Sequence, residues 1–564
     1  MARLHLLCPA LALALAGPAL AAEHADLVLR GGKIATVDKR RPTAEALAAV
    51  GDKIVFVGSN KDAAAYVGPK TQVIELGGKL AVPGFIDGHG HFTGIGQGKM
   101  GLELMGTKSW DEIVAKVAEA ARKAQPRDWI VGRGWHQEKW TRVPAPNVEG
   151  FPLHDALSKA SPQNPVLLTH ASGHAGFANA KALELAGITK QTKDPEGGEI
   201  LRDAQGNPTG MLRETAQGLV RRALSRDRSE RTAARVEADS RMEIELASKE
   251  CLSKGVTSFQ DAGSSFATID LMKKMIGEGK VAPRLWVMLQ EPNAALEANL
   301  ARYRTVDFGD GRLTVRAIKR SIDGALGSRG AWLLEPYSDL PSSRGLNTTP
   351  PATIAETARL AIQHGYQLCV HAIGDRANRE TLDIFERALA GRKELRWRIE
   401  HAQHLHPSDI PRFGQLGVIA SMQGIHCTSD APWALKRLGP KRCEEGAYVW
   451  QKLMKSGAVV TNGTDAPVED VSPVASYHAS VSRKLPDGSV FYGDQRMSRE
   501  QALESYTLSA AFAAFEEKTK GSLEVGKLAD VTVLSRDILT VPEDQIPGTE
   551  VLYTIVAGKV AFKR

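Results

Sequence analysis

Between residues 81 and 465 the chain alternates short apolar runs, rich in β-branched residues, with longer stretches of helical periodicity. This feature narrows the fold more than any other. Eight runs have strand character: Ala81–Asp87, Val256–Asp261, Leu285–Gln290, Thr314–Lys319, Gln367–His371, Trp397–His401, Val418–Met422 and Val459–Asp465. Most are separated by helix-like segments such as IAETARLAIQHG and TLDIFERALAG. Apolar strands joined by crossover helices make parallel sheets, and eight of them predict a (β/α)8 TIM-type barrel. The span from about residue 95 to 255 is far too long for one βα connection. It carries strands (WIVGRGW, PVLLTH) and helices of its own, and reads as an insertion over the barrel mouth.

The two ends read alike. ADLVLRGGKIATVD and ALAAVGDKIVFVG near the start, and KLADVTVLS and VLYTIVAGKVAFKR near the finish, are short alternating strands between Gly-rich turns. Such strands cannot bury a face alone, so one small β-sandwich formed by both chain termini is expected. The expected division is residues 23–80 and 516–564 for the sandwich and 81–515 for the barrel with its insertion. The first 22 residues read as a signal peptide: Arg3, the apolar Leu4–Leu15, then a small-x-small cleavage site at Ala19-Leu20-Ala21. A periplasmic or secreted protein follows. No later segment has about 20 uninterrupted apolar residues, so no membrane association is expected once the signal is removed.

Net charge is +7, with the basic residues scattered. The most basic stretch, RRALSRDRSERTAAR (Arg221–Arg235), is interleaved with acids and reads as a solvated helix face, not a nucleic-acid surface. Cys8 falls within the signal. Cys251, Cys369, Cys427 and Cys443 form no CxxC, which argues against a zinc finger. Cys369, in an apolar run, reads as buried filler, and pairing of Cys427 with Cys443 is left open.

In a barrel of this kind the C-terminal strand ends converge on one mouth. Strand one leads into His89 and His91, strand four ends in Lys319, strand five in His371, strand six in His401 and strand eight in Asp465. Side chains two apart on a strand point the same way, so His89 and His91 can grip one ion together. Imidazole with carboxylate favours zinc or a similar transition metal. Each residue alone has an ordinary role: histidines satisfy strand-end hydrogen bonds, lysines snorkel and TDAP makes turns. Chance does not readily place all of them at the ends of strands one, four, five, six and eight.

The segments PGFIDGHGH, GNPTGMLRE, IKRSIDGALGSRGAWL, HAIGDRAN, IEHAQHL, NGTDAPVEDVSP, TLSAAFAAF and GSLEVGKLADVTVL resemble the amidohydrolase superfamily, specifically the amidohydrolase 3 family of metal-dependent hydrolases. The resemblance covers essentially the whole chain beyond the signal. It implies two divalent metal ions: His89 and His91 on one with Asp465, His371 and His401 on the other, and Lys319, carboxylated by CO2, bridging both. A hydroxide shared by the metals would attack a carbonyl, with Asp465 acting as general base and then acid. The expected activity is hydrolysis of a non-peptide, amide-type C–N bond in a small-molecule substrate. A lactonase or esterase on the same site is the alternative; a non-catalytic binding protein is disfavoured by the six filled positions.

The expected substrate contacts are His174 and Asn179 in THASGHAGFANAKAL, and Asp375 and Arg376 after His371. Trp135, His136 and Trp140 either wall a pocket or pack within the insertion. His404, His406 and His426 read as local structure. Two departures from the family pattern stand out. Gly90 replaces a larger residue, which would loosen the turn between the histidines, and Gln423-Gly424 follows strand seven where proline is more usual. Whether the chain is a homo-oligomer is left open.

Overall fold

The structure, a computed structural model, describes residues 24–229 and 232–564; the expected signal segment and Cys8 lie outside the described residues. Eight barrel strands are present: β1 (Phe85–Gly90), β2 (Val256–Ser264), β3 (Arg284–Leu289), β4 (Leu313–Ser321), β5 (Gln367–Ala372), β6 (Arg398–His401), β7 (Ile419–Met422) and β8 (Val460–Asn462). They lie in chain order, every neighbouring pair parallel. This is the TIM-type arrangement that the alternation predicts. Two boundaries differ. The first apolar run divides at Gly84, so that Leu80–Pro83 joins a terminal sheet and only Phe85 onward enters the barrel. The last strand stops at Asn462, leaving Asp465 in the loop beyond it.

Strands β1 and β8 share no ladder. Loop hydrogen bonds close the gap instead: Asp465 N–H donates to the His89 carbonyl at 2.7 Å and His91 N–H to the Ala466 carbonyl at 2.6 Å. The buried Asp87 carboxylate accepts from the Thr464 amide at 3.0 Å and from the Thr464 hydroxyl. This approach needs glycine at 463, where a Cβ would lie 2.6 Å from the His89 nitrogen.

The insertion contains a six-stranded sheet, ordered Leu102–Glu103, Ile130–Trp135, Val166–His170, Ala175–Ala178, Pro208–Glu214 and Gly198–Arg202. Helix Trp110–Lys123 packs its apolar face beneath it. The Ser109 side chain caps that helix by accepting from Glu112 N–H, and acids in its first turn and bases in its last suit the helix dipole. Trp135 and Trp140 stack at 5.9 Å inside this subdomain's core, with Trp110 and Phe177 alongside. They pack the insertion, whereas His136 lines a cleft that reaches His371, His401 and Asp465.

Strands from both ends of the chain form two further sheets. One is ordered Lys53–Gly58, Ala46–Val50, Leu27–Arg30, Gln72–Glu75. The other runs Lys559–Lys563, Val551–Val556, Val531–Leu534, Leu80–Pro83, Lys33–Ala35, Thr43–Ala44. Leu27, Leu29, Leu47 and Ile54 from the first meet Ile34, Val531, Val533 and Ile555 from the second in one shared core. The four cysteines are buried and free, so Cys427 and Cys443 do not pair. Among the described residues no helix is long and apolar enough to cross a membrane.

A buried ion pair ties these sheets to the barrel. Arg284, at the start of β3, reaches Asp530 at 2.7 and 3.2 Å, and Asp530 also accepts the Ala557 amide at 2.8 Å. Removing one partner strands the other charge in the interior, at a cost of about 3–5 kcal/mol. Asp530→Ala is therefore expected to lower the urea unfolding midpoint by a corresponding amount. Glu119→Ala, which removes a solvent-exposed i,i+4 pair with Lys123, should leave it unchanged.

Candidate metal centre

At the C-terminal mouth of the barrel the structure brings the six strand-end residues together. Ligand atoms of His89, His401 and Asp465 all lie within 4.8 Å of one another. Asp465 Oδ1 is 3.2 Å from His91 Nε2 and 3.5 Å from His89 Nε2, with hydrogen-bond geometry to neither. Lys319 Nζ is 3.4 Å from His89 Nε2. The His371 ring lies 4.5 Å from that of His401, and its buried Nε2 is 3.4 Å from the buried Asp323 carboxylate without hydrogen-bond geometry. Buried lone pairs left unpaired are costly. Imidazoles, a carboxylate and an amine turned on one space fit a divalent cation that would take those lone pairs.

The charge states suit that reading. Burial, aided by Lys319, pushes the His89 imidazolium down to about 4, and burial likewise holds His371 and His401 well below the ordinary value. All three are therefore neutral near pH 7, the form that binds metal. Burial alone would raise the Asp465 carboxyl; the imidazoles around it, His91 foremost at 3.2 Å, draw it well below the carboxylate range. Burial lowers the Lys319 ammonium, with Glu400 and Asp465 opposing.

Two of the imidazoles are oriented from behind. His89 Nδ1 bonds Glu400 Oε2, and Glu400 is paired in turn with Arg398 Nε at 2.7 Å. Burial would raise the Glu400 carboxyl; Arg398 and His89 hold it far below its usual value. Arg398 spans the barrel interior, donating to Gln260 Oε1 at 2.6 Å and to the Gly88 carbonyl and Ser421 hydroxyl at 2.7 Å. His401 Nδ1 donates to Gln423 Oε1 at 2.7 Å, which leaves Nε2 as the lone-pair nitrogen. Gln423, a departure from the family pattern, is thus the support of a candidate ligand. Gly90 does not loosen a turn. It is a buried residue of β1, and a Cβ there would lie 2.5 Å from the Phe259 ring.

A cavity of about 740 Å³ opens on the centre, lined by His91, Lys319, His371, His401 and Asp465 and, from the insertion, by His174. His174 Nδ1 pairs with Glu214 at 2.7 Å, and its ring is 4.8 Å from that of His371. Burial would lower the His174 imidazolium, but Glu214 outweighs it and raises it.

The other expected substrate contacts are corrected. Asn179 is wholly buried as a helix cap: its oxygen accepts from Val166 and Ala182 N–H, and its nitrogen donates to the Ser161 and Asn164 carbonyls. Asp375 accepts from the Leu334 and Arg376 amides, and Arg376 lies 4.4 Å over the Trp332 ring. None of the three lines the cavity.

Sequence reasoning missed His426. It is buried, 4.0 Å from Asp465, with Nδ1 against the Gln403 amide at 2.9 Å. It also missed Glu400 and Arg398, although charges at alternate positions of an apolar strand were a signal that both demanded buried partners. His404, beside Tyr448, and His406, bonded to Ser408, are local structure.

A sequence model of the Amidohydrolase family matches residues 72–562. The chain is 34% identical over 558 residues to Protein LONG AFTER FAR-RED 3 of Arabidopsis thaliana, covering 95% of this chain and 92% of that protein. It is 27% identical to the N-substituted formamide deformylase of Arthrobacter pascens, covering 96% and 98%. Among solved structures, an uncharacterized metal-dependent hydrolase from Pyrococcus horikoshii OT3 superposes with a TM-score of 0.72 at 27% identity, covering 92% of this chain and 99% of that one.

Gln423→Leu removes the acceptor that orients His401. Loss of such a support weakens metal binding by about 10–100-fold. Competition against a chelator should show that loss, with metal-free thermal stability little changed.

Proposed function

Because the chain belongs to the amidohydrolase family, we propose that it hydrolyses a non-peptide, amide-type C–N bond in a small molecule. The observation that carries the reading is the cluster itself: ligand atoms of His89, His401 and Asp465, all buried and within 4.8 Å of one another at the barrel mouth. His89, His91 and Asp465 would hold one divalent ion and His371 and His401 a second, zinc by donor preference. Lys319 would serve both as a carbamate. Its buried, destabilised ammonium favours the free amine, which adds CO2 with loss of one proton. Bound there, the ions supply an acidified water and polarise the scissile carbonyl.

The residues of the chain do the rest. Asp465 takes the proton from the water that adds to the carbonyl carbon and returns it to the nitrogen as the C–N bond breaks, releasing an acid and an amine. Gln403 donates to His426 Nδ1, so the His426 proton resides on Nε2. That N–H is buried without a partner beside Asp465, placed to donate to the carbonyl oxygen as charge develops there. Glu400 and Gln423 keep His89 and His401 in the required tautomers. The similarity to an N-substituted formamide deformylase supports an amide over a lactone. The N-terminal 22 residues support export as part of the same proposal.

The metal-loaded protein is expected to turn over at least one of three classes (N-substituted formamides, N-acyl amines, cyclic amides) with kcat/KM above that for any lactone. Asp465→Asn, with metal content verified, should lose about 10²–10⁴-fold in kcat. Faster lactone hydrolysis would reassign the bond, and undiminished turnover by Asp465→Asn would remove its proton-transfer role.

A further inference from the structure

Two arginines line the cavity without a salt bridge among the described residues. Arg133, from strand Ile130–Trp135, donates through Nε to the Pro467 carbonyl and through Nη2 to the Ala171 carbonyl, both at 3.1 Å. Pro467 belongs to the Asp465 loop, so this guanidinium is pinned beside the metal centre. Arg221 lies on helix Gln217–Ser229 and, among the described residues, donates to Gln217 Oε1 at 3.2 Å. Gln217 in turn holds the Gly173 carbonyl at 3.1 Å, and a Cβ on Gly173 would lie 3.5 Å from Arg133 Nη2. The two guanidinium groups therefore flank one turn of the insertion, and both line the same cavity as the candidate ligands.

Arg320 and Arg483 are buried against neutral acceptors alone, and four other buried arginines meet carboxylates: Arg213 with Glu149 and Glu199, Arg284 with Asp530, Arg398 with Glu400, Arg437 with Asp339. Neither Arg133 nor Arg221 does so among the described residues. The cavity's own acids are engaged, Glu214 by His174 and Glu243 by Gln97. Burial lowers Arg133 to about 10, with Asp465 opposing and Arg221 adding to the shift. Arg133, half-buried, and Arg221, exposed, put two like charges on one cavity, a field that attracts a ligand anion. Arg221, the first residue of the basic stretch, is exposed, as on a solvated face, and also lines the cavity.

We propose that Arg221 and Arg133 form a carboxylate-binding subsite, so that the preferred substrate is an amide carrying a carboxylate on an apolar body. The planar guanidinium fork matches a carboxylate's two oxygens, and Val131, Leu167, Leu224 and Val468 provide the apolar walls. This rests on the amide-hydrolase reading above and adds the substrate class to it.

The test compares N-formylphenylalanine with N-(2-phenylethyl)formamide, which lacks the carboxylate, on the metal-loaded protein. Calorimetry with 3-phenylpropionate, which has no bond to hydrolyse, runs in parallel. The wild type is expected to prefer the acid by about tenfold or more in kcat/KM. In Arg221→Gln that ratio should collapse toward one, through KM, and 3-phenylpropionate affinity should fall about tenfold. Equal use of both formamides by the wild type, or an unchanged ratio in Arg221→Gln, would overturn the subsite alone. If neither amide is turned over yet 3-phenylpropionate binds in an Arg221-dependent way, the subsite stands and the formamide class falls, leaving the C–N reading to N-acyl amines and cyclic amides.

Discussion

The seam between the first and last barrel strands is the constraint on which the rest depends. Because β1 and β8 form no ladder, closure falls to the Asp465–His89 and His91–Ala466 backbone hydrogen bonds and to Asp87 beneath them. The same bonds that close the barrel set Asp465 against His89 and His91. Asp465 sits at φ 55° and His401 at φ 76°, left-handed conformations unfavourable for residues with a side chain. The surrounding hydrogen bonds hold them there, so some folding energy is spent on holding two candidate ligands in place.

Behind the seam, Arg398 performs two tasks at once. It fills the barrel interior, its guanidinium 5.5 Å from the Trp286 ring, and through Glu400 it fixes the face of His89. Glu400 stays ionised only because Arg398 and His89 outweigh its burial. The centre is thus a balance between desolvation, which keeps its imidazoles neutral, and a few buried charges, which keep its carboxylates anionic. The insertion adds cavity wall and two cations, joining general metal chemistry to a particular substrate shape.

The barrel and the six strand-end residues were legible because both rest on short-range periodicity. An apolar strand that ends in histidine, lysine or aspartate carries its own signal. Orientation from behind was not legible: Gln423 reads as a departure until its oxygen is seen on His401, and Glu400 as part of a motif until Arg398 is seen beside it. Asn179 shows the converse. An asparagine after a strand serves equally as substrate contact or helix cap, and only the four backbone groups around it decide for the cap. That the exposed Arg221 also lines the cavity was not legible, because a charge run on a helix shows its period but not which turn faces a cavity. Gly90 was misread because no local pattern reveals the Phe259 ring arriving from a neighbouring strand.

The central claim is that Lys319 completes a two-ion centre at this seam. Elemental analysis of the protein, prepared with and without added bicarbonate, addresses it directly. The account predicts about two divalent ions per chain with bicarbonate, falling in Lys319→Ala. About one ion per chain, indifferent to bicarbonate and to Lys319→Ala, would contradict it and leave Lys319 an ordinary buried amine.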